Sequence, residues 1–279
     1  MNSEVSEIVR GSFDLHVHAA PDTQERRMNA LETARAAYEG ELGGFALKSH
    51  DYPTTPLADA LNQMYPGLQV LGSITLNESI GGINPNAVQV SADLGAKIVW
   101  MPTSKARDQG SNETSTNELK VTDATNHLLS EAVDVIDIIA GQDMVLASGH
   151  ISPHETIKLF EEAKTRGVQR MIATHPYDVA TYPEMELIAS TGAYIEFTFL
   201  SCMPTKQTMS PRIMSEQILR LGVEKCLVTT DFGQWTNPPP AEGMRMAVAA
   251  LLDSGMSVDD VATLVKHNPK KLLTSPFCI

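Results

Sequence analysis

Cysteine is scarce in this chain, with only Cys202, Cys226 and Cys278 among 279 residues, and the three are far apart. A disulfide framework needs paired cysteines, so this usage argues against a disulfide-stapled scaffold and favours a reducing compartment. We therefore expect a cytoplasmic protein. Residues 1–10 are polar and acidic and lack an apolar core, so we also expect no signal peptide.

Long apolar runs and basic residues are also in short supply. No apolar run reaches the roughly 18 residues that a membrane-spanning helix requires, so we expect no membrane span. Lys and Arg number 21 against 34 Asp and Glu, which gives a net charge of −13. A chain this acidic is a poor candidate for binding nucleic acid or an anionic membrane. We expect a small-molecule substrate as its partner, and leave a homo-oligomer open.

What the chain does have is a regular alternation of short apolar runs with helical stretches. Its hydrophobic fraction of 42% and charged fraction of 20% are typical of a globular protein. Most of the apolar runs are rich in Val, Ile, Leu and Ala, as expected of strands that are buried on both faces. The eight predicted strands are residues 12–18, 44–50, 68–75, 96–101, 144–150, 169–175, 193–199 and 226–231.

Capping signals support helices between these strands. A capping residue stands before a proline suited to the first helical turn at Thr55-Pro56, Asn84-Pro85, Ser152-Pro153, Ser210-Pro211 and Asn268-Pro269. Capping-box spacing occurs at Asn29 with Glu32, Ser152 with Glu155, and Ser257 with Asp260. Eight β-α repeats in about 250 residues indicate a (β/α)8 TIM barrel. We predict an α/β fold, a single barrel domain over residues 1–279, with a doubly wound open sheet as the alternative.

One polar stretch, residues 102–125, interrupts the even spacing after the fourth predicted strand. Loops that follow barrel strands build the catalytic face, so one interpretation is a mobile lid. In that case Lys105 or Arg107 would be available to hold an anionic group of the substrate. The other interpretation is a disordered surface loop.

Histidines cluster at the carboxyl ends of the predicted strands, and Asp231 ends the eighth strand. The histidines at strand ends are His16, His18, His50, His150 and His175. Side chains alternate along a strand, so His16 and His18 share a face and can bind one metal ion. In a barrel, the strand ends meet at one mouth, where the chemistry takes place. The sequence therefore predicts a metal site there, and leaves His127, His154 and His267 on the surface.

This constellation resembles the amidohydrolase superfamily over nearly the whole chain. Members carry His-x-His on strand one, histidines on strands five and six, and an aspartate on strand eight of a (β/α)8 barrel. The matching residues here are His16, His18, His150, His175 and Asp231. The closing segment, from His267-Asn268-Pro269 to Leu273, is also similar to the Asn-Pro-x-x-Leu segment of many members. The resemblance implies one or two divalent ions, with zinc as the first expectation and manganese, iron or nickel as alternatives.

Members of the superfamily with two metal ions also have an anionic ligand that bridges the ions, in many of them a carboxylated lysine or a glutamate at the end of strand four. This sequence departs from that pattern. Lys97 lies at the beginning of the fourth predicted strand, too far from the mouth, whereas Lys48 and His50 share a face at the end of the second. A lysine among metal ions can lose its proton and take up carbon dioxide, which gives a carbamate with two oxygens. The alternatives are a Lys48 cation that holds a substrate carboxylate or phosphate, and His50 as a ligand or hydrogen-bond donor.

Other side chains are weaker candidates. Asp14 shares the predicted face of the two histidines but lies deeper, so we expect a supporting or structural role. Glu196 alternates with apolar neighbours, so it should face the barrel interior, where a buried carboxylate needs a partner. Further candidates, for clamping an anion or lining the mouth or the core, are Arg26, Arg27, Arg212, Cys202, Trp100 and Trp235.

We predict a metal-dependent hydrolase that cleaves an amide, a cyclic amide or a lactone. Asp231 would take a proton from the attacking water and pass it to the leaving group. His150 and His175 would bind a second ion, or one of them would stabilise the developing oxyanion. The alternatives are a single-metal lyase such as a decarboxylase, a phosphoesterase, and a non-catalytic barrel that binds a metal or a ligand.

Overall fold

The computed structural model describes residues 3–103 and 119–274, and within these residues parallel strands alternate with helices. Every observed strand lies inside one of the eight predicted ranges. The strands are β1 Phe13–His18, β2 Gly44–Lys48, β3 Gln69–Leu71, β4 Ser73–Thr75, β5 Ile98–Trp100, β6 Val145–Ala147, β7 Met171–Ala173, β8 Tyr194–Thr198 and β9 Cys226–Thr229. The predicted lid residues Lys105 and Arg107 lie outside the described residues.

Helix α1 precedes the first strand, and the other helices follow strands and cover the outside of the sheet. They are α1 Ser3–Val9, α2 Ala30–Glu39, α3 Thr55–Met64, α4 Pro85–Asp93, α5 Ser130–Gly141, α6 Pro153–Thr165, α7 Tyr182–Ser190, α8 Pro211–Leu221, α9 Pro240–Asp253, α10 Val258–Ala262 and α11 Asn268–Leu273. None of the helices in the described ranges is long and apolar enough to cross a membrane.

Five of the seven predicted caps form. Asn29 and Glu32 make a complete capping box on α2, with both hydrogen bonds at 2.9 Å, and Ser152 with Glu155 does the same on α6. Ser257 accepts from the N–H of Asp260, as predicted for α10. Asn84 and Ser210 also accept from the first turns of α4 and α8.

Two predicted caps, at Thr55 and Asn268, are wrong because both residues lie within helical stretches. Thr55 is the first residue of α3 itself, and the hydroxyl of the preceding residue, Thr54, donates to the carbonyl of Leu47 instead of capping the helix. Asn268 lies inside a helical stretch that continues through a π-turn at Thr263–His267. Its amide donates to the carbonyl of Val223 at 2.8 Å and to that of Cys226 at 2.7 Å. Asn268 thus fastens the last helix to the start of β9.

The strands pair in chain order, each parallel to the next, in two ladders: β1 to β3 and β4 to β9. This order has no reversal point, which excludes the doubly wound alternative. The two ladders are separated only by Gly72, which lies between β3 and β4, so both segments belong to one predicted strand. The hydroxyl of Ser73 donates to the carbonyl of Leu47 at 2.8 Å, and that of Thr75 to the carbonyl of Ser49 at 2.7 Å. These side-chain bonds hold β4 beside β2.

The first strand meets the end of the last strand. The N–H of Asp231 donates to the carbonyl of His16 at 2.9 Å, and the N–H of His18 donates to the carbonyl of Phe232 at 2.8 Å. These two bonds join the outer edges of the two ladders, as a barrel requires. The carboxyl ends of β1 and β9 therefore lie side by side, and with them the predicted metal ligands.

The core has the two layers of a (β/α)8 barrel. Interior side chains such as Leu15, Ile98 and Trp100 form one buried cluster, while a larger cluster lies between the strands and the helices. On β5 the alternation is clear, because Val99 belongs to the outer cluster and its two neighbours to the inner one. An α/β TIM-type barrel, as predicted, positions the strand ends at one mouth.

Candidate metal centre

Five imidazoles form a closed ring at the carboxyl ends of the strands. The distances between neighbouring ring centroids are 5.3 Å for His16–His18, 4.8 Å for His18–His50, 6.5 Å for His50–His150, 4.9 Å for His150–His175 and 5.8 Å for His175–His16. The structure thus brings together all five histidines that the sequence places at strand ends. The other three histidines are exposed, as predicted: His127, His154 and His267.

His16, His18 and Asp231 have the spacing of a metal-binding group. The Asp231 Oδ1 atom lies 3.2 Å from His16 Nε2 and 3.3 Å from His18 Nε2. One ligand atom from each residue lies within 4.8 Å of the others. A tetrahedral ion with bonds of about 2.0–2.1 Å has ligand–ligand edges of about 3.3 Å. Two imidazoles and a carboxylate are a donor set that suits zinc, so these residues fit a divalent ion.

Glu196 fixes the tautomer of His16. Its carboxylate oxygens lie 3.1 and 3.2 Å from His16 Nδ1, so Nδ1–H donates and the lone pair is on Nε2. The same carboxylate accepts from the Thr229 hydroxyl at 2.9 Å and from the backbone N–H of His175 at 3.3 Å. Burial raises the pKa of Glu196 to about 7. The prediction that Glu196 faces the interior and needs a partner is confirmed.

Burial also sets the charge of the ligands. It lowers the pKa of His16, His18 and His150 well below the usual value, so these rings are neutral, which is the form that binds metal ions. For Asp231, burial acts to raise the pKa, but His16, His175 and Lys48 oppose it and hold the pKa below its usual range. Asp231 is therefore an ionised carboxylate beside neutral imidazoles.

Lys48 is buried in the centre of the site and is 1% exposed. Its Nζ lies 3.0 Å from His16 Nε2 and 4.3 Å from the ring centroid of Trp100. Burial lowers the pKa of Lys48 to about 8, which leaves an appreciable fraction of neutral amine near neutral pH. Lys97, by contrast, is exposed. Lys48 is therefore not a surface lysine.

His175 has a carboxylate partner that the sequence did not reveal. Its Nδ1 lies 3.0 Å from Asp178 Oδ2, and the same oxygen lies 2.7 Å from Lys206 Nζ. Asp178 comes back to His175 because a 3₁₀ turn, Pro176–Asp178, follows β7 directly. The three-residue spacing is the only sequence signal of this pair, and a histidine and an aspartate so spaced are common. The contact leaves His175 Nε2 free to bind an ion or a substrate.

Asp14 does not follow the predicted alternation along β1. The register of β1 against β2 shifts between Asp14 and Val17, so strict alternation, on which the shared face with His16 and His18 was predicted, does not hold there. The Asp14 carboxylate accepts from the N–H of Thr230 at 3.0 Å and from its hydroxyl at 2.5 Å. It also accepts from the N–H of His16 at 3.3 Å. Its supporting role is to hold the end of β9 against β1.

Of the three candidate arginines, the structure places only Arg26 against a histidine of the site. Its side chain is 3% exposed and pairs with Asp22 at 2.8 Å, and Nη2 lies 3.4 Å from His18 Nδ1. Arg27 is exposed, and Arg212 is exposed on α8 beside Glu216.

The remaining candidates divide between core and surface. Trp100 is fully buried, and its ring lies 4.9 Å from that of His16, whereas Trp235 is 56% exposed. Burial raises the pKa of the Cys202 thiol to about 11, which disfavours a thiolate nucleophile.

Comparisons with known proteins place the chain in a family and in a fold. Residues 11–196 match the model of a family of unknown function, DUF6282, and the chain belongs to that family. Comparison with curated proteins gives no match.

Solved structures of similar fold cover almost the whole chain. They include an amidohydrolase from Pseudomonas aeruginosa, with a TM-score of 0.65 and 14% identity over 96% of this chain and 98% of that chain. The probable dipeptidase PvdM from Pseudomonas aeruginosa has a TM-score of 0.65 and 12% identity over 97% and 96%. An organophosphorus hydrolase from Deinococcus radiodurans has a TM-score of 0.61 and 12% identity over 95% and 93%. At such low identity the likeness shows a shared fold, that of amidohydrolase-type barrels.

Proposed function

We propose that this member of DUF6282 is a metal-dependent hydrolase that acts on an amide, cyclic amide or lactone bond of a small molecule. The observation that carries the proposal is the group His16, His18 and Asp231 at the carboxyl ends of β1 and β9, spaced for one tetrahedral ion. The similar structures bear the names of an amidohydrolase, a probable dipeptidase and an organophosphorus hydrolase, which supports hydrolysis in general. Zinc is the ion we expect first.

When bound, a divalent ion lowers the pKa of a water molecule and polarises the oxygen of the scissile bond. His16, through Nε2, and His18 would hold the ion together with Asp231. Because Asp231 is ionised, it accepts the proton of the attacking water and passes it to the leaving group. Glu196 keeps the proton of His16 on Nδ1 and so keeps Nε2 available.

Lys48 would supply a further ligand as a carbamate. The neutral amine adds to carbon dioxide, a C–N bond forms, and one proton leaves, so the product carries a single negative charge over two oxygens. The depressed pKa of Lys48, about 8, supplies the neutral amine that this addition needs. Together with Lys48 in this form, His150 and His175 would hold a second ion. The alternative is a Lys48 cation that binds a carboxylate or phosphate of the substrate.

Metal content per chain, measured by elemental analysis, tests the proposal. We expect about two ions per chain for a carbamate-bridged site, falling in both Lys48→Ala and His16→Ala. His127→Ala, which removes an exposed histidine, is the matched control and should leave the content unchanged. Protein that binds no ion, even when prepared with metal supplied, would overturn the proposal. Hydrolysis of a panel of amides and lactones then identifies the bond.

A single-metal lyase is the second candidate, because only His16, His18 and Asp231 form a three-ligand group among residues 3–103 and 119–274. Such an enzyme, for example a decarboxylase, would need no bridging Lys48. One ion per chain that is unaffected by Lys48→Ala, together with release of carbon dioxide from a carboxylated substrate, would favour it.

A further inference from the structure

The histidines of the site differ in what faces their Nδ1 atoms. His16 and His175 each turn Nδ1 towards a carboxylate, at 3.1 Å for Glu196 and 3.0 Å for Asp178. A carboxylate oxygen accepts from an imidazole N–H, so these two contacts place a ring proton on Nδ1. His50 instead has the hydroxyl of Thr103 at 2.7 Å from Nδ1. A hydroxyl can donate or accept, so the tautomer of His50 depends on the other partners of Thr103.

Asn77 determines those partners, and the backbone fixes the orientation of its amide. Its Oδ1 accepts from the N–H of Thr103 at 2.8 Å, and its Nδ2 donates to the carbonyl of His50 at 3.0 Å. A backbone N–H can only donate and a carbonyl can only accept, so the reversed amide would lose both bonds. In this orientation Nδ2 also donates to Thr103 Oγ1 at 2.9 Å.

The Thr103 hydroxyl therefore accepts from Asn77 and keeps its own proton to donate. Thr103 is fully buried, and His50 Nδ1 is the one acceptor for that proton within residues 3–103 and 119–274. If His50 donated from Nδ1 instead, the buried Thr103 O–H would have no acceptor there, which is unfavourable. Hence Nδ1 accepts, and the single proton of the neutral ring lies on Nε2.

We propose that His50 is a hydrogen-bond donor to a substrate oxygen through Nε2–H, not a metal ligand, and that Thr103 and Asn77 are positioning residues that fix this tautomer. A protonated Nε2 has no lone pair for an ion. The His50 side chain is partly exposed and lies between His18 and His150 among the five imidazoles. A carbonyl oxygen or oxyanion of a bound substrate can reach it there. The role towards substrate rests on the proposed function, whereas the tautomer rests on the hydrogen-bond chain alone.

Long-range ¹H–¹⁵N spectra of protein labelled with ¹⁵N-histidine and supplied with zinc show the tautomer of each histidine. The His50 signals are identified by their absence from the spectrum of His50→Gln. We expect the Nε2–H pattern in the wild type and in Thr103→Ser, which keeps the hydroxyl. In Thr103→Val, of nearly the same shape, the Nδ1–H form should become populated. An Nδ1–H pattern in the wild type, or no change in Thr103→Val, would overturn the proposal.

Metal content separates the donor from a ligand. His50→Gln should retain the ions of the wild type, while His16→Ala should lose them. An equal loss in His50→Gln would make His50 a ligand and overturn the proposal. Wild-type protein that binds no metal but keeps the Nε2–H pattern would overturn the proposed hydrolase and leave the tautomer assignment standing, so the two failures are distinguishable.

Discussion

His16 and Glu196 are 180 positions apart in the chain, yet His16 Nδ1 lies 3.1 and 3.2 Å from the two oxygens of the Glu196 carboxylate. Both residues are fully buried, and the contact orients the ring towards Asp231 and His18. A carboxylate behind a ligating histidine fixes its tautomer and raises its basicity. The orientation of His16 as a ligand therefore depends on Glu196, which is not itself one of the three ligand residues.

Glu196→Gln should weaken metal binding without unfolding the barrel, because the amide keeps the shape of the carboxylate but not its charge. We expect a loss of affinity of about 10–100-fold. Competition with a chromophoric chelator measures it. Glu186→Gln makes the same exchange at an exposed site and should bind metal like the wild type. Equal affinities of the two variants would contradict a supporting role for Glu196.

Asp231→Asn should abolish most of the hydrolytic activity, because the amide cannot accept the proton of the attacking water. The expected fall in kcat is about 10²–10⁴-fold from loss of the base alone, and metal content should fall as well. Kinetics on the best substrate of the panel, beside Asp93→Asn at an exposed helical position, measure the effect. An Asp231→Asn variant with unchanged kinetics and metal content would instead favour a non-catalytic barrel.

Lys48 should form a carbamate that ¹³C NMR detects after loading the protein with metal and ¹³C-bicarbonate. The signal should be missing from Lys48→Ala and present in Lys97→Ala, which removes an exposed lysine. A wild-type protein without the signal, at full metal occupancy, would point to the cationic alternative.

The rate of carbamate formation should rise with pH. Only the neutral amine reacts, and the pKa of Lys48 is lowered by burial to about 8. At fixed dissolved carbon dioxide, the rate should increase about tenfold per pH unit below that pKa and level off above it. Reactivation of metal-free protein, followed as metal uptake against pH, measures the profile. The range from pH 6 to pH 8 covers roughly two units below this pKa. A flat profile over that range would contradict Lys48 as the group that forms the carbamate.

Gly149→Ala should destabilise the protein through the backbone beside His150. Gly149 has φ +59°, and an added Cβ would lie 2.1 Å from the carbonyl oxygen of Met101. Such a clash costs about 1–3 kcal/mol or more in the free energy of unfolding. Urea unfolding measures the change, and Gly141→Ala, where an added Cβ meets nothing within 4 Å, is the control. A Gly149→Ala variant as stable as Gly141→Ala would contradict the close approach.

The barrel could be predicted because each strand is buried on both faces and so appears as an apolar run with a helix behind it. The break at Gly72, which separates β3 from β4, and the shift of register after Asp14 could not be predicted, since the apolar pattern of one strand does not specify its pairing with the next. Local alternation carries no information about either.

The candidate ligands could be predicted because strand ends converge in a barrel, whereas their partners could not. Thr103, Asn77 and Asp178 are common polar residues in loops. Only the folded chain shows that Thr103 and Asp178 face a histidine ring and that Asn77 donates to Thr103. The substrate, the identity of the ion, the cytoplasmic location, a homo-oligomer and the extent of the domain over residues 1–279 stay predictions.

The backbone bonds that join β1 to the end of β9 involve the same residues as the ligand group, His16, His18 and Asp231. An ion held there would connect the first strand to the last across the joint of the barrel. Because the unfolded chain does not hold these three side chains together, metal binding would stabilise the folded state, and the midpoint of thermal unfolding would rise with the concentration of free ion. Removal of the ion by a chelator would then first weaken the contact between β1 and the end of β9. Faster proteolysis near β1 would be the early sign of this.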